Sequence, residues 1–520
     1  MDVPVLIVGG GPIGLTASVL LSHFGIESML VNDRATTSTH PRARFLDVRT
    51  AEILEQVGLF DSVNATGLPV EWLDSVRYSA TMIEPEVLRL PTASYDCTPR
   101  DISPVVPIMT SQDLVEPIMF DAARSFDAAT VSFGTEVVAL ESDETGVTVR
   151  LQDRRSAERR TVRAGWVIGA DGRGSVVRDL AHCGLAEGTV GAPVQDVLYH
   201  GDMSAFVGDR TGALLFVFHP MGYGLFQPLN GADRWRAQCT TFTPAVDPDD
   251  VTPELCEQWI RSAMGDDTGE LDIDILSIAP WQPEERVADR FRDSTGRVLL
   301  VGDAAHTIFP TGGYGMNLGY HGIHNLIWKL ATVIRDRSDQ ALLDTYEAER
   351  RPRVALTLAT ATENARRAGA MYRAFLGGGD ESARAHAVDR LMQYGNFDGM
   401  VLGGEYVSTL CQAEPEPGPV VDNEILDFVP TVRAGRRAPH AWIDAAGTRS
   451  VLAEFGRDYV VLVPDAVGEI DSDVRQAAIP PSDPYRDDEV VLVRPDGVVA
   501  GRWSADDPAI GTSVEALLPV

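Results

Sequence analysis

The 520-residue sequence has few cysteines and no long apolar run, and each shortage excludes a class of protein. Five cysteines lie far apart with no C-x-x-C pair among them: Cys97, Cys183, Cys239, Cys256 and Cys411. This spacing argues against a disulfide framework or a zinc knuckle, and it favours the reducing cytoplasm as the location. No apolar run approaches the roughly 18 residues that a membrane helix needs, so we expect no membrane partner.

Positive charge is scarce as well. The sequence has 44 basic and 76 acidic residues, which gives a formal net charge of −32, and Lys329 is its single lysine. A chain this acidic is repelled by phosphate backbones and anionic lipid surfaces, so neither nucleic acid nor a membrane is expected as a main partner. The acidic residues are spread along the chain, and we interpret them as a solubility feature.

The first glycine-rich loop follows an apolar strand predicted at Val3–Val8. It comprises Gly9–Gly14 with the pattern G-x-G-x-x-G, and a helix over Leu15–Phe24 and a second strand over Ser28–Val31 are predicted after it. This strand-loop-helix-strand unit is typical of a dinucleotide site whose pyrophosphate lies at the helix N-terminus. An acidic residue normally ends the second strand and binds the ribose. Here Asn32 holds that position and Asp33 the next, so either can make the contact.

Two further glycine loops follow predicted strands. The strand Val162–Ile168 leads into Gly169–Arg178, which contains Asp171-Gly172, and the strand Val298–Val301 leads into Gly302–Gly319. Apolar residues at helical spacing then predict a helix after the third loop. Glycine allows a ligand to approach the backbone closely, and the first amides of a helix attract anions. Both loops are therefore expected to face phosphate or another electron-rich group.

The remaining segments suggest a division into domains. Hydrophobic residues at 44% are typical of a globular protein, and the length predicts two or three domains. Residues 186–290 are rich in predicted strands, with Val197–Val207 as one of them, and predict an antiparallel sheet that walls a substrate cavity. Residues 70–103 are predicted to be an insertion into another layer. Helices are predicted over Asp339–Ala370 and Ser382–Tyr394, and a small α/β domain follows the proline-rich linker Glu414–Pro419.

In this order and at these separations, the three loops resemble those of the single-component (class A) FAD-dependent aromatic hydroxylases, in the phenol hydroxylase and polyketide hydroxylase branch. The resemblance covers residues 3–400, and the tail, with Arg436–His440 and Leu492–Gly497, is similar to the thioredoxin-like C-terminal domain of that branch, which lacks C-x-x-C. It implies an α/β fold with a Rossmann-like FAD-binding domain (1–70, 106–185 and 291–400), an inserted antiparallel β-sheet substrate domain (71–105 and 186–290) and a thioredoxin-like C-terminal domain (401–520).

The resemblance implies FAD as cofactor and NADPH or NADH as reductant. Asp303 would contact the ribityl chain, and Pro310–Gly315 would lie along the flavin. The implied cofactor-binding residues are Gly9, Gly11, Pro12, Gly14, Asn32, Asp33, Arg42, Gln112, Asp171, Gly302, Asp303, Pro310, Gly312, Gly313, Gly315, Met316 and Asn317. The sequence departs from the family at two places: Asn32 stands where glutamate is usual, and Gly322-Ile323 where Asp-Ala is usual.

The implied reaction is hydroxylation of a phenolic or polycyclic aromatic substrate by NAD(P)H and O2 through a flavin C4a-hydroperoxide, in aromatic polyketide-like, antibiotic-type metabolism. Baeyer-Villiger insertion or epoxidation on the same scaffold is an alternative. A non-catalytic dinucleotide-binding protein is another, although all three loops keep their glycines. A base for phenol deprotonation could be His219, Tyr223 or His306, each with packing as its competing interpretation. His321 and His324 have no third ligand, so no metal is expected. A homo-oligomer is compatible with the sequence.

Overall fold

The computed structural model describes residues 1–219, 221–242, 246–247, 250–266, 269–336, 338–376, 395–415, 417–480 and 482–519. Its strands, in chain order, are β1 (Val3–Val8), β2 (Ser28–Asn32), β3 (Phe45–Leu46), β4 (Ser75–Ser79), β5 (Leu88–Pro91), β6 (Ile108–Met109), β7 (Ala129–Phe133), β8 (Thr135–Asp143), β9 (Gly146–Asp153), β10 (Arg159–Gly169), β11 (Thr189–Val190), β12 (Val194–His200), β13 (Leu214–His219), β14 (Gly222–Pro228), β15 (Arg234–Phe242), β16 (Asp274–Trp281), β17 (Glu284–Val287), β18 (Val298–Leu300), β19 (His306–Thr307), β20 (Val460–Pro464), β21 (Arg475–Ile479), β22 (Glu489–Val493) and β23 (Val499–Ser504).

The helices connect these strands into a mixed α/β molecule. They are α1 (Pro12–His23), α2 (Val48–Gln56), α3 (Phe60–Asn64), α4 (Gln112–Ser125), α5 (Val176–Leu180), α6 (Ser204–Val207), α7 (Pro253–Met264), α8 (Tyr314–Arg335) and α9 (Asp344–Leu376), followed by the short helices Asp398–Leu402 and Ile510–Glu515. The helix predicted over Ser382–Tyr394 lies outside the described residues.

The first sheet has a parallel core. Its order is β7-β2-β1-β10-β9-β8, and β18 pairs with the carboxyl-terminal half of β10. The register aligns Val8 with Gly169 and Gly169 with Leu300, so β1, β10 and β18 end at one edge. Carboxyl ends of parallel strands are where α/β folds bind ligands. The three glycine loops, each of which follows one of these strands, therefore meet at that edge.

The second sheet carries the segment predicted as an insertion. Its order is β16-β12-β15-β14-β13-β4-β5, so the strands β4 and β5 from residues 70–103 extend the sheet formed by residues 186–290. Helix α7 covers one face, where Phe226 stacks on Trp259 with ring centroids 5.0 Å apart. The opposite face is left to contact the rest of the chain.

One strand prediction is wrong in detail, and one segment that alternates like a single strand contains a turn. Val197–Val207 is not one strand: β12 ends at His200, and the short helix α6 follows. The segment Thr130–Leu140, which alternates like one strand, is divided between β7 and β8 by Gly134. Gly134 has a φ of +74°, a conformation that other residues rarely adopt, and it turns the chain so that β7 pairs with β2 and β8 with β9.

The C-terminal residues form a third sheet with its own core. Its order is β21-β20-β22-β23, with β20 and β21 parallel and the other pairs antiparallel. The turn between β22 and β23 contains Asp496 and Gly497, and Gly497 has a φ of +72°. The side chains of this turn reach the helices α8 and α9.

A buried group of charged and polar side chains joins this turn to α8 and α9. We call it the junction cluster; its members are Asn325, Lys329, Glu349, Arg494 and Asp496. Arg494 lies 2.8 Å from Glu349 and 2.5 Å from Asp496, and Lys329 lies 2.8 Å from Glu349. Lys329 and Arg494 have no exposed surface. Burial lowers the pKa of Lys329 to about 8, while Glu349 opposes that shift.

Candidate functional site

The first two loops pack tightly against each other at the sheet edge. A Cβ atom built on Gly9 would lie 2.3 Å from the Ala170 carbonyl oxygen, and one on Gly14 would lie 1.9 Å from the Gly9 oxygen. Neither position can hold a side chain without moving backbone. The Ala170 amide also donates to the Val8 carbonyl over 2.8 Å. These two glycines are therefore required by packing within the protein.

Gly11 differs from its neighbours because it faces open space. A Cβ atom at Gly11 would meet nothing within 4 Å, and its φ of −80° suits any residue. Gly11 is the N-cap of α1 and Pro12 its first residue; no described side chain caps this helix end. Helix geometry leaves the first-turn amides without intrahelical partners. The space in front of Gly11 can therefore hold an anionic group against free N–H donors.

Asn32 and Asp33 have different surroundings. Asn32 is buried, and its Oδ1 accepts a hydrogen bond from the Gly10 amide over 3.1 Å. Asp33 is exposed and lies 3.1 Å from Arg154. Within the described chain, the Asn32 Nδ2 donates no hydrogen bond, so it remains able to donate to a ligand. Of the two residues, Asn32 contacts the first loop and Asp33 points towards a surface arginine.

The second loop uses its aspartate internally. Asp171 accepts hydrogen bonds from the Ser175 hydroxyl over 2.5 Å and from the Val177 amide over 3.0 Å. Burial raises the pKa of Asp171, and these donors oppose the shift. The buried Arg178 then donates to the Ala304 carbonyl over 3.3 Å, which joins the second loop to the third. Asp171 thus shapes the loop and caps α5.

Asp303 has a free carboxylate. The third loop begins with buried Gly302 in a short 3-10 turn, and the Asp303 side chain is exposed in the cleft between the loops. It accepts no hydrogen bond from any described residue. Protein atoms around the cleft limit its hydration, which raises the pKa of Asp303 to about 6, although Arg173 and Arg42 act in the opposite direction. Such a carboxylate can accept hydrogen bonds from a polyhydroxyl ligand.

The start of α8 is a second uncapped helix end. Gly312 and Gly313 have φ values of +113° and +73°, and Gly313 is the N-cap with no cap from a described side chain. The amides of the first turn, which includes Gly315 and Met316, therefore lack intrahelical partners. Pro310, which precedes this turn, is exposed. This backbone can face an electron-rich ring system.

The Asn317 side chain stabilises the start of α8 through hydrogen bonds within the protein. Its Oδ1 accepts hydrogen bonds from the Asp47 amide over 2.9 Å and the Thr50 hydroxyl over 2.8 Å. Its Nδ2 donates to the carbonyls of Phe45 over 3.0 Å and Gly313 over 2.9 Å. The side chain has used its hydrogen-bonding capacity within the protein, so only the Asn317 backbone remains for a ligand.

The arginines after β2 divide into two roles. Arg42 is exposed and lies close enough to Asp303 for their charges to interact. Arg44 is buried and donates to the carbonyls of Pro228, at the end of β14, and Ala213, just before β13. The Gln112 amide donates to the Ala43 carbonyl over 2.8 Å, and its side chain binds Glu116 over 2.5 Å. Gln112 therefore stabilises the position of the segment Arg42–Arg44.

A group of stacked aromatic rings lies on the face of the second sheet opposite α7; Tyr78, Phe216 and Phe218 are buried. Tyr78 stacks on Phe216 with centroids 4.8 Å apart, and Tyr223 stacks on Phe218 at 5.6 Å. Phe216 is in register with Leu225, Leu225 with Gln238, and Gln238 with Asp196, so these side chains share one face. His40, from the segment after β2, lies 3.3 Å from Asp196. We call Tyr78, Phe216, Phe218 and Tyr223 the aromatic wall. These four rings lie on the sheet face that meets the dinucleotide-type fold.

Of the four rings in the aromatic wall, the sequence indicates only Tyr223, as a candidate base. The other three occur in strands without a distinctive motif, and only cross-strand register shows that they stack. His219 lies at the end of β13, where its Nδ1 accepts a hydrogen bond from the Met221 amide over 3.2 Å. Burial lowers the pKa of His219, and Glu84 opposes the shift.

His306 lies in β19, away from these rings. It is 4% exposed, and its Nδ1 finds no partner among the described residues. Burial lowers the pKa of His306 to about 3, with Arg350 acting in the same direction. An imidazole with this pKa accepts a proton poorly near neutral pH.

The described residues contain neither a cluster of metal-ligating side chains nor a membrane-spanning helix. No group of three or more His, Cys, Asp or Glu side chains there could hold a metal ion. His321 contacts Asp47 over 3.1 Å, and His324 contacts Gln56 over 2.7 Å, so the two imidazoles have separate partners. Over the same residues, no helix has both the length and the apolar character needed to cross a membrane.

The combination of a βαβ glycine loop, two uncapped helix ends, an unpaired carboxylate and Arg42 at one sheet edge defines a flavin-dinucleotide-binding protein. The open space at Gly11 can hold an anionic group, and the free Asp303 carboxylate can accept hydrogen bonds from hydroxyl groups. A family model described as "FAD binding domain" matches residues 2–361. The chain belongs to this family and, within it, to the FAD-dependent aromatic hydroxylases.

Three comparisons support this assignment. The chain is 33% identical to aklavinone 12-hydroxylase of Streptomyces peucetius, over 89% of this chain and 91% of that protein. It is 31% identical to 4-methyl-5-nitrocatechol 5-monooxygenase of a Burkholderia species, over 100% and 98% of the two chains. The crystal structure of the flavin-dependent monooxygenase PieE, in complex with FAD and substrate, superposes with a TM-score of 0.90 at 30% identity, covering 99% of each chain.

Proposed function

We propose that the chain is an NADPH- or NADH-dependent monooxygenase that hydroxylates a phenolic or polycyclic aromatic compound in aromatic polyketide-like metabolism. The observation that carries this proposal is the aromatic wall of Tyr78, Phe216, Phe218 and Tyr223 on the sheet face that contacts the dinucleotide-type fold through His40. Three of these rings are buried, and the half-buried Tyr223 presents a ring against which a flat aromatic substrate can pack. The names of the relatives, which refer to aklavinone and a nitrocatechol, support a ring substrate. FAD, when bound, supplies the electron transfer and oxygen activation.

The proposed cofactor contacts follow from the geometry of the loops. The amides after Gly11 and the Arg42 guanidinium bind the pyrophosphate, and the Asn32 Nδ2 donates to the adenosine ribose. Asp303 accepts hydrogen bonds from the ribityl hydroxyls, and the backbone of Pro310–Met316 lies along the flavin ring. The second sheet closes the other side of the cleft and excludes water. The sequence-derived domain boundaries, including a thioredoxin-like domain at 401–520, are part of this proposal.

Phenol deprotonation is assigned to His219 or Tyr223 in preference to His306. His219 and Tyr223 flank the turn between β13 and β14, and Tyr223 is part of the aromatic wall. A base must be within hydrogen-bond reach of the proton that it takes, and its pKa should lie near the working pH. The buried His306, with a pKa of about 3, does not meet the second condition.

The ionisation of Asp303 predicts a pH dependence of FAD binding. The pKa of Asp303 is raised to about 6 in the free protein, and hydroxyl donors favour its ionised form. FAD affinity should therefore be highest above pH 6 and fall as the pH decreases through 6. At one unit below this pKa, about a tenth of Asp303 is ionised, so Kd should rise about tenfold. Fluorescence titrations with FAD at pH 5 and pH 8 measure this ratio.

The Asp303→Asn variant is the control for that titration. Asparagine cannot ionise in this range, so the variant should bind FAD more weakly at pH 8 and show little change between pH 5 and pH 8. An equal pH dependence in the variant and the wild type would show that another group controls binding.

The reaction itself is tested with labelled oxygen. Phenols and polycyclic aromatic polyketides are screened for stimulation of NADPH and NADH oxidation, and products are analysed by mass spectrometry after reaction under 18O2. We expect one 18O atom in the product with the aromatic ring intact. A lactone product would show Baeyer-Villiger insertion instead, and an epoxide would show the other alternative. Reconstituted protein that consumes no nicotinamide with any aromatic compound would contradict the proposal.

A further inference from the structure

A cavity of about 80 Å³ lies on the side of α8 opposite α1, next to the junction cluster. This volume is several times the roughly 10–15 Å³ that one water molecule needs. We call it the junction cavity. Charged side chains from α2, α9 and the C-terminal residues line it: Arg49, Arg350, Arg353, Arg437, Asp47 and Asp496. Four arginines around a small cavity are unusual in a chain with a net charge of −32.

The acidic groups at this cavity already have partners. Asp496 pairs with the buried Arg494, and Asp47 accepts a hydrogen bond from the Thr50 amide over 2.8 Å. Glu52, next to the cavity, pairs with both Arg437 and Arg49. These contacts use the available carboxylates and leave none for the arginines of α9.

Arg350 and Arg353 lie one turn apart on α9 and pair with no carboxylate in the described chain. Arg350 donates to the Tyr406 hydroxyl over 2.7 Å, and Arg353 donates to the Met400 carbonyl. Arg350 is only 5% exposed. Burial and the charge of Arg350 both lower the pKa of Arg353; Glu424 acts in the opposite direction from beyond ion-pair distance. A buried cation and a half-buried neighbouring cation that both lack a counter-ion are unfavourable unless an anion joins them.

Two guanidinium N–H groups are also unsatisfied. Arg350 Nε and Arg437 Nη1 are buried and have no hydrogen-bond partner among the described residues. Arg437 is 7% exposed, so water cannot reach most of it. Buried polar groups without partners are uncommon, and leaving one unsatisfied costs about 1–3 kcal/mol. Both residues line the junction cavity.

We propose that the junction cavity binds a small tetrahedral oxyanion, such as inorganic phosphate, between Arg350, Arg353 and Arg437. Planar guanidinium groups donate in pairs to such oxygens. The anion would stabilise the contact between α9 and the C-terminal residues. Asn317 also lines the cavity and holds the Gly313 carbonyl, so the site adjoins the start of α8. This proposal is independent of the one made for the flavin.

The test measures phosphate binding to the full chain with FAD at saturating concentration, so that the dinucleotide loop is filled. Thermal unfolding is followed in increasing phosphate, with sodium chloride at matched ionic strength as reference. We expect a saturable rise in Tm for wild type, and at least a tenfold loss of phosphate affinity in Arg350→Met and in Arg353→Met. Arg366→Met is the matched control, because Arg366 is an exposed residue of the same helix that pairs with Glu363.

The stability of the variants in phosphate-free buffer distinguishes an anion site from ordinary ion pairing. Removing the unpaired charge with Arg353→Met should leave Tm unchanged or raise it, whereas loss of a structural ion pair would lower it. If Arg350→Met does not fold, Arg353→Met supplies both readouts. The proposal is overturned if wild type responds to phosphate no more than to chloride, or if both α9 variants keep the wild-type response. If FAD does not bind at all, the same titration of the protein without FAD still tests the cavity.

Discussion

Replacing Gly11 with valine is expected to abolish FAD binding while the protein without FAD keeps its fold. A Cβ atom at this position meets no protein atom within 4 Å, and the backbone φ of −80° is accessible to valine. The loss of a glycine N-cap costs the free protein about 1 kcal/mol. The same side chain would fill the space proposed for the pyrophosphate and cover the first amides of α1. We expect Kd for FAD to rise more than a hundredfold, about 3 kcal/mol, in fluorescence titrations.

Gly369→Ala is the matched control for this substitution. Gly369 lies on α9, where an added Cβ atom would lie 3.5 Å from Arg373, an ordinary contact distance. The control should bind FAD with wild-type affinity and unfold at the same or a slightly higher temperature. Wild-type FAD affinity in Gly11→Val would show that the pyrophosphate does not bind in front of this helix.

Replacing Arg494 with methionine is expected to destabilise the folded protein strongly. Arg494 has no exposed surface and pairs with Glu349 at 2.8 Å and Asp496 at 2.5 Å. Its removal leaves two buried carboxylates with only Lys329 to compensate them. Breaking a buried ion pair from one side typically costs about 3–5 kcal/mol. We expect the free energy of unfolding, measured in urea, to fall by that amount, with the uncompensated charges of Glu349 and Asp496 as its cause.

An exposed arginine in the same C-terminal region serves as the comparison. Arg486 pairs with Asp488 at 3.0 Å, and both side chains are about two-thirds exposed, at 66% and 65%. Surface pairs of this kind contribute roughly 0–1 kcal/mol. Arg486→Met should therefore leave unfolding almost unchanged. If both variants lose equal stability, the burial of the junction cluster does not determine its contribution.

The three glycine loops could be predicted from the sequence because each is a local pattern. An apolar strand, a glycine-rich turn and an amphipathic helix lie next to one another along the chain, and their order carried the resemblance to a family. The structure adds what no local pattern contains, which is that β1, β10 and β18 are neighbours with Val8, Gly169 and Leu300 in register. This register brings the loops together.

The roles of individual polar residues could not be predicted from their positions. Asn317 was grouped with the ligand contacts, yet its side chain is bound to Asp47, Thr50, Phe45 and Gly313. Three of these four partners, Asp47, Thr50 and Phe45, lie about 270 positions away in the sequence. Gly134 illustrates the same limit at short range, because an alternating strand pattern continued across it while its φ of +74° turned the chain.

The junction cluster was also beyond the reach of sequence patterns. In the sequence, Lys329 is distinctive only as the single lysine, and Arg494 only as part of a motif in the tail. Their common partner Glu349 lies 145 residues from Arg494, so the contact exists only after the C-terminal sheet docks on α8 and α9. A contact between residues this far apart in the sequence produces no periodic pattern, so it cannot be predicted from the sequence.

The most direct test of the central claim is a titration of flavin-free protein with FAD, followed by visible absorption and fluorescence. The geometry of the three loops predicts saturable binding of one FAD per chain, a shifted flavin spectrum, and loss of that binding in Gly11→Val. A chain that folds but neither retains nor takes up FAD would contradict the claim.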